Sequence, residues 1–318
     1  MTLKSALKSL FAELLSFARK DFHKASYLYT FALIVALIII NYSTGFYRDV
    51  MKPTYASGDS MWAYPLFYAV MYFIVAIPTL LFQKDYQLLQ DRRFYLKSLF
   101  FIGFYGASIG YFGYRNWEFA GFSDQEKLLA IKFISQLKGA FFYLIPVWIL
   151  KKTVDKQVEG IYGLARSSKH INAYLMLFLM LLPFLVLTSF TPDFLSAYPQ
   201  LRPWLFEGSF GLPSWIYTPI YELGYAIDFL KTELVFRGML IIGMISIMDK
   251  KAVLPMVAMY VAIHFGKPLG ETISSIFGGY ILGALAYQTR HIWGGVIVHI
   301  CIAMTMEIMG FLQYYVLK

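Results

Sequence analysis

Charged residues and cysteine are both scarce in this sequence. Lys and Arg number 28 and Asp and Glu 19 among 318 residues, a charged fraction of 15%, whereas 58% of residues are hydrophobic. An ordinary globular chain carries about 25% charged residues. The composition therefore disfavours a soluble enzyme, a disordered chain and a nucleic-acid-binding protein. The single cysteine, Cys301, excludes an intrachain disulfide and a cysteine cluster for metal.

Long apolar runs are abundant instead. A membrane-spanning helix needs roughly 20 mostly apolar residues. Nine segments approach that length, namely 27–46, 62–82, 97–114, 133–150, 171–190, 216–247, 252–265, 272–288 and 294–312. We therefore predict an all-α, polytopic transmembrane helix bundle of about eight to nine spans. The sixth segment is long and carries charges, and the seventh is short, which is typical of helices that line a polar cavity.

The sequence suggests three parts in chain order. Residues 1–24 carry leucines at helical spacing with lysine and arginine between them, which predicts an amphipathic helix on the inner leaflet; a soluble lead-in helix is the alternative. Residues 25–190 then form N-terminal transmembrane helices, and residues 191–318 form a core transmembrane domain. An excess of basic residues falls in the inner loops if the N-terminus is cytoplasmic. This orientation also explains the net charge of +9 without nucleic acid.

Two charged residues and two histidines within the apolar segments are of special interest. They are Glu233 and Arg237 in the sixth segment, His264 in the seventh and His299 in the ninth. A charge at the centre of a bilayer costs a few kcal/mol even on the mildest scale, so such groups should face one another or a wet cavity. Glu233 and Arg237 are four residues apart and share a helix face. This spacing alone favours an internal ion pair, and an acid or base oriented by arginine is the functional alternative.

Three short motifs occur in order near the C-terminus. They are Thr232-Glu233-x3-Arg237, Tyr260-x3-His264, and a glycine-containing stretch that ends at His299. The motifs resemble the Glu-Glu-x3-Arg, Phe-x3-His and His-x3-Asn motifs of the CAAX protease and bacteriocin-processing family (CPBP, or Abi). The resemblance covers residues 216–310, and the rest of the chain is similar only as hydrophobic helices.

The resemblance implies an all-helical intramembrane endopeptidase in a bacterial inner membrane. Its substrates would be prenylated C-terminal peptides or the precursors of bacteriocins and other peptides. In such enzymes the first Glu and the second-motif histidine, here His264, activate water. The last-motif His and Asn stabilise the oxyanion, and the first of these is His299 here. Arg237 and the second Glu, Glu233, have orienting roles.

Two positions depart from the family pattern. Thr232 stands at the first Glu, and Ala303 stands at the last Asn. Asp228 lies one turn before Thr232, about 6 Å along the axis, and is the best substitute carboxylate unless it only pairs with Lys231. Loss of one oxyanion donor costs about 10²–10³ in rate, so we predict a slow enzyme or an inactive one. The candidate catalytic set is Glu233, Arg237, His264, His299 and Asp228.

Several alternatives stay open at this point. Zinc bound by Glu233, His264 and His299 would have the three ligands of a catalytic site, although we rank it below metal-free chemistry. A non-catalytic relative could act as a membrane scaffold, chaperone or immunity-like factor, and a transporter could use the polar cluster as a binding site. The expected partners are the lipid bilayer and a membrane-associated peptide or protein, with no nucleic acid. A protease predicts that His264, His299 and either Glu233 or Asp228 face one polar cavity.

Overall fold

The structure is a computed structural model that describes residues 3–158, 160–164 and 171–316. Over these residues the chain forms helices and no β-strand, which confirms the predicted all-α class. The longer helices are α1 (Leu3–Asp21), α2 (Lys24–Thr44), α3 (Ser60–Phe82), α4 (Arg92–Gly110), α5 (Asp124–Thr153), α6 (Ile171–Thr188), α7 (Ser214–Glu233), α8 (Val253–Ala262), α9 (Leu269–Thr289) and α10 (Trp293–Tyr315). Shorter helical turns lie at Tyr47–Met51, Thr54–Ser57, Tyr86–Gln90, Gly113–Asn116, Pro192–Ala197, Pro203–Leu205, Ser209–Gly211, Leu234–Met239, Ile242–Met244, Ile245–Met248 and Asp249–Ala252.

Within the described residues, six helices are long and apolar enough to cross a membrane. They are α2, α3, α5, α6, α9 and α10. Their outward faces are apolar: on α6, Phe184 and Leu187 are 65% and 68% exposed. A water-facing surface rarely carries so many large apolar side chains in one patch, whereas lipid favours them. The chain is an integral membrane protein built as a helical bundle.

Three of the nine predicted segments differ from that set of six. Segment 97–114 falls in α4, which begins with Arg92 and Arg93. Segment 216–247 is not one long helix, because α7 ends at Glu233 and continues as a π-helical turn, Leu234–Met239. Segment 252–265 contains α8, which has only 10 residues and rises about 15 Å. The π-turn follows from tertiary packing and is a common feature of functional sites.

Helix α8 lies at the centre of the bundle. All ten of its residues are buried, as expected for a helix that is hydrophobic on every side. It packs against α3 and α9, and α3 packs in turn against α4. Helix α10 packs against α6 and α7, and α7 packs against α5. The Leu234–Met239 turn is wholly buried beside this core, so the polar residues near it are held in an apolar surrounding.

Helix α1 packs across α6 and α9. Leu10 and Phe17 are buried on that side, and the Phe17 ring lies 5.3 Å from the Tyr287 ring. Phe11 and Leu15 are exposed on another side of the helix. Met1 and Thr2, the first residues of the predicted 1–24 helix, lie outside the described residues. The three-part division of the chain and its inner-leaflet orientation stay predictions.

Candidate active site

The site begins with a buried ion pair at the end of α7. Glu233 is the last residue of α7, and Arg237 lies one turn later in the π-turn. Arg237 Nη1 donates to Glu233 Oε1 at 2.8 Å, and the two side chains are 0% and 1% exposed. Arg237 Nη2 also reaches the backbone carbonyl of Gly278 on α9 at 3.4 Å. Because neither charge reaches solvent, each depends on the other for compensation.

His299 on α10 forms a hydrogen bond with the same carboxylate oxygen, Glu233 Oε1. Its Nδ1 lies 2.5 Å from Glu233 Oε1. A carboxylate only accepts hydrogen bonds, so Nδ1 of a neutral His299 carries the hydrogen and Nε2 keeps a lone pair. The other oxygen, Oε2, has no hydrogen-bond partner among the described residues. It faces Gly295, one turn before His299, where a Cβ atom would lie only 2.1 Å from it.

Tyr260 on α8 extends this set into a chain of four residues. Its hydroxyl lies 2.6 Å from His299 Nε2, and the tyrosine donates because Nε2 holds the lone pair. The Arg237 guanidinium carbon sits 4.3 Å from the centre of the Tyr260 ring. The polar chain therefore runs Arg237, Glu233, His299, Tyr260, and its members come from three separate parts of the bundle.

His264 lies next to the same tyrosine. It occupies the turn after α8, and its ring centre is 4.8 Å from that of Tyr260. The His264 Nδ1 is 2.7 Å from the Tyr260 carbonyl oxygen, four residues earlier. A carbonyl only accepts, so Nδ1 donates and Nε2 is the nitrogen with a free lone pair. His264 is half-buried, whereas Tyr260 is buried.

Asp228 lies away from the polar chain of Arg237, Glu233, His299 and Tyr260. Its Oδ1 pairs with Lys231 Nζ at 2.5 Å, and its side chain is 29% exposed. The Thr232 hydroxyl donates to the Asp228 backbone carbonyl at 3.2 Å, a bond to the preceding helical turn. Of the two candidate carboxylates, Glu233 and Asp228, Glu233 is the one that contacts His299. The role of Asp228 as a substitute base stays a prediction.

The position of the missing asparagine is apolar. Ala303 is buried on α10, one turn after His299. Glu307, one turn further along, is buried and accepts hydrogen bonds from the Gln200 backbone N–H at 2.9 and 3.1 Å. The Glu307 carboxylate therefore connects the segment around Gln200 to α10. Neither the Ala303 side chain nor the Glu307 carboxylate can donate the hydrogen bond of the lost amide.

The side chains offer a poor fit for zinc. In the part of the chain that the structure describes, no three His, Cys, Asp or Glu side chains form a group that could hold a metal ion. Glu233 Oε1 already accepts from Arg237 and His299. His299 Nε2 is engaged by the Tyr260 hydroxyl, and His264 contacts the tyrosine rather than Glu233. We therefore assign no chemical step to a metal.

The residues of the polar chain and His264 all lie between the start of α7 and the first half of α10. This stretch has a recognisable family signature. Residues 214–305 match the type II CAAX prenyl endopeptidase Rce1-like family. The Rce1-like match confirms the resemblance found in the three motifs, and it leaves α1 to α6 outside the matched segment. No curated protein and no solved structure matches the chain.

Two site features were not predicted from the sequence. Tyr260 stands where the resembling motif has phenylalanine, and its added hydroxyl contacts His299. Gly295 was read only as part of the stretch before His299, yet it makes room for Glu233. The available signal for Tyr260 was the hydroxyl itself, since a buried tyrosine hydroxyl usually finds a hydrogen-bond partner.

Gly295→Ala tests the close approach of α10 to Glu233. The new Cβ would lie 2.1 Å from Glu233 Oε2, so the carboxylate must move and the contact with His299 is lost. We expect turnover to fall by about 10²-fold, the cost of a displacement of roughly 1 Å in an active site. Measurement of peptide cleavage and of the thermal unfolding midpoint would check this.

Gly278→Ala is the matched control for that variant. A Cβ at Gly278 meets no atom within 4 Å, and alanine favours a helix over glycine by about 1 kcal/mol. We expect it to keep both stability and turnover. Wild-type turnover in Gly295→Ala would contradict the inferred role of the Glu233–His299 contact.

Proposed function

We propose that this chain is an intramembrane endopeptidase that hydrolyses membrane-associated peptides. The apolar helices support it, and the Rce1-like match over residues 214–305 supports it at the level of the family. The observation that carries the proposal is the placement of two imidazoles, His264 and His299, against the ring of Tyr260. One imidazole has a free lone pair, and the other is oriented by a buried carboxylate.

His264 acts as the general base. Its Nδ1 is committed to a backbone carbonyl, so Nε2 accepts the proton of a water molecule whose oxygen attacks the scissile carbonyl carbon. The proton then passes to the leaving amine as the carbon–nitrogen bond breaks. Thr232 stands where the resemblance places a glutamate, so this base lacks the carboxylate that the family pattern supplies at that position. We therefore expect a slow enzyme.

His299 and Tyr260 stabilise the negative charge that develops on the carbonyl oxygen. Glu233 fixes the tautomer and the direction of His299, and His299 holds the Tyr260 hydroxyl. On binding of substrate, the hydroxyl turns from His299 to the oxyanion and donates to it. Arg237 and Glu233 are positioning residues, because they act through His299 and Tyr260.

A second candidate is a non-catalytic membrane protein that binds peptides. Thr232 and Ala303 favour it, because the resemblance places a water-activating glutamate and an oxyanion donor at these positions. The buried chain Arg237–Glu233–His299–Tyr260 would then be a structural core that shapes a peptide-binding surface. The two candidates differ in one measurable property, which is release of a cleaved product.

Cleavage of a panel of quenched peptides by the purified protein in lipid nanodiscs tests the proposal. The panel holds prenylated and unmodified peptides, and mass spectrometry identifies the products. We expect slow cleavage by the wild type and faster cleavage by Thr232→Glu, which restores a carboxylate beside the site. An inactive wild type that Thr232→Glu activates would favour the non-catalytic candidate. If neither protein cleaves any peptide that it binds, the proposal is wrong.

Tyr260→Phe isolates the role of the hydroxyl. The ring contacts of Tyr260 with Arg237 and His264 remain, while the 2.6 Å contact with His299 is lost. We expect kcat to fall by about 10²-fold, within the range for one oxyanion donor, with KM nearly unchanged. Steady-state kinetics would check this, and the unfolding midpoint should stay close to that of the wild type. An unchanged kcat would remove Tyr260 from the mechanism.

A further inference from the structure

A large open cavity lies beside the candidate active site. Its volume is about 910 Å³, near the upper end of the range of roughly 300–1,000 Å³ for ligand pockets. Its walls come from five parts of the chain. They are the end of α2 with the turns that follow, the end of α4 with the next turn, the middle of α5, the second half of α7, and the turn after α8.

The lining of this cavity is strongly basic. Six of the lining residues are lysine or arginine, and only Asp228 is acidic. The basic residues are Arg48, Lys52, Arg115, Lys138, Lys231 and Lys267. Clefts lined by charges of one sign concentrate ligands of the opposite sign. A cavity with this lining attracts anions.

Three of the six cations have carboxylates nearby. Arg48 pairs with the adjacent Asp49 at 2.7 Å, and Lys231 pairs with Asp228. Lys267 lies 3.8 Å from Glu271, which is a long ion pair. The acids therefore offset half of the positive charge in the lining.

The other three cations are not balanced by an acid. Among the described residues, no carboxylate lies within 4.0 Å of Lys52, Arg115 or Lys138. Lys138 donates to the backbone carbonyl of Tyr111 at 2.7 Å, and Arg115 stacks over the Phe112 ring. These contacts hold the side chains in place and supply no carboxylate partner. The cavity therefore carries an excess of positive charge that comes from separate parts of the chain.

The cavity adjoins the candidate active site on two sides. Lys231 is buried there and lies two residues before Glu233, which is about 3 Å along the axis of α7. Phe265 and Gly266 line the cavity and directly follow His264. A chain that enters the cavity therefore passes next to both the proposed base and the helix that carries Glu233.

We propose that this cavity binds an acidic segment of a peptide, next to the bond that is cleaved. This proposal rests on the proposed function, and it adds that the substrate is negatively charged beside the cleaved bond. The three cations without a carboxylate partner lie on three separate segments, so an extended chain with several carboxylates meets them better than one compact headgroup.

Peptide binding to the His264→Ala protein tests this without any cleavage. The protein is placed in nanodiscs of uncharged phosphatidylcholine, and the probes are a fluorescent glutamate-rich peptide and the same peptide with glutamine in place of glutamate. We expect the acidic peptide to bind at least about tenfold more tightly at low salt. The advantage should shrink as ionic strength rises, because salt screens exposed charges. Equal binding of the two peptides would overturn the proposal.

Charge variants at the rim assign the binding to the cavity. Lys52→Glu combined with Arg115→Glu should abolish the preference for the acidic peptide, and Lys52→Gln with Arg115→Gln should weaken it without new acids. The glutamine pair tests the proposal if the glutamate pair does not fold. Lys152→Glu, at an exposed residue of α5 outside the cavity lining, reverses one charge in the same way and should have no effect. A preference as large as that of the wild type in the glutamine pair would overturn the proposal.

Two further outcomes distinguish a peptide site from a lipid site, and peptide binding from peptide cleavage. If the rim variants change the enrichment of an anionic lipid around the protein but leave peptide binding unchanged, the cavity is a lipid site and the proposal is wrong. If acidic peptides bind as expected while the protein with an intact His264 cleaves none of them, the proposed endopeptidase function fails and the binding site stands.

Discussion

His264→Ala should lower peptide turnover by about 10²–10⁴-fold, the usual contribution of a general base. The structure gives His264 a fixed tautomer through its bond to the Tyr260 carbonyl, and removal of the imidazole removes the group that accepts the proton of the attacking water. Binding of substrate should change little, because the cations of the cavity remain. The measurement is kcat and KM on the quenched peptide that the wild type cleaves best.

His23→Ala is the control for that experiment. His23 precedes α2, where its Nδ1 accepts from the Ser26 backbone N–H, and it lies outside the matched segment. We expect a loss of stability of about 1 kcal/mol from the missing helix cap and no specific loss of turnover. Turnover of His264→Ala within threefold of the wild type would remove His264 as the base.

Glu233→Ala should have the largest effect on stability. It leaves the fully buried Arg237 without its carboxylate, and breaking a buried pair in this way costs about 3–5 kcal/mol. It also frees His299 from its orienting contact, so turnover should be lost as well. Thermal unfolding of the purified protein and peptide cleavage measure the two effects separately.

A double variant separates the structural role of the pair from its role in the chemistry. Glu233→Met with Arg237→Met removes both charges, and such replacements of buried pairs are often neutral or stabilising. We expect most of the lost stability to return while turnover stays low, because His299 is still not oriented. A double variant with wild-type turnover would show that the pair serves only folding.

Hydrophobic length and helical spacing predicted much of the bundle. The runs that became α2, α3 and α9 lie close to their predicted positions, because about 20 apolar residues satisfy a bilayer almost independently of their neighbours. The contact between Glu233 and Arg237 also followed from local spacing. Such features depend on the chain within a few residues, so the sequence is sufficient to find them.

Features that depend on distant parts of the chain were harder to predict. No proline marks the end of α7 at Glu233 or the π-turn after it, and the one glycine of that turn, Gly238, approaches the backbone of the distant Tyr162. The contact of Tyr260 with His299 joins α8 to α10, and the basic cavity collects residues from five parts of the chain. These depend on how helices pack, and hydropathy carries no information about that.

Cleavage in water enriched with oxygen-18 tests the central claim most directly. The wild-type protein in nanodiscs is given the peptide that it binds best, and the mass of each product is measured. Hydrolysis by an activated water predicts two fragments, with one oxygen-18 atom in the new C-terminal carboxylate and none in the new amine. The same product should be missing from His264→Ala. A wild-type protein that binds peptides and releases no labelled fragment would contradict the account.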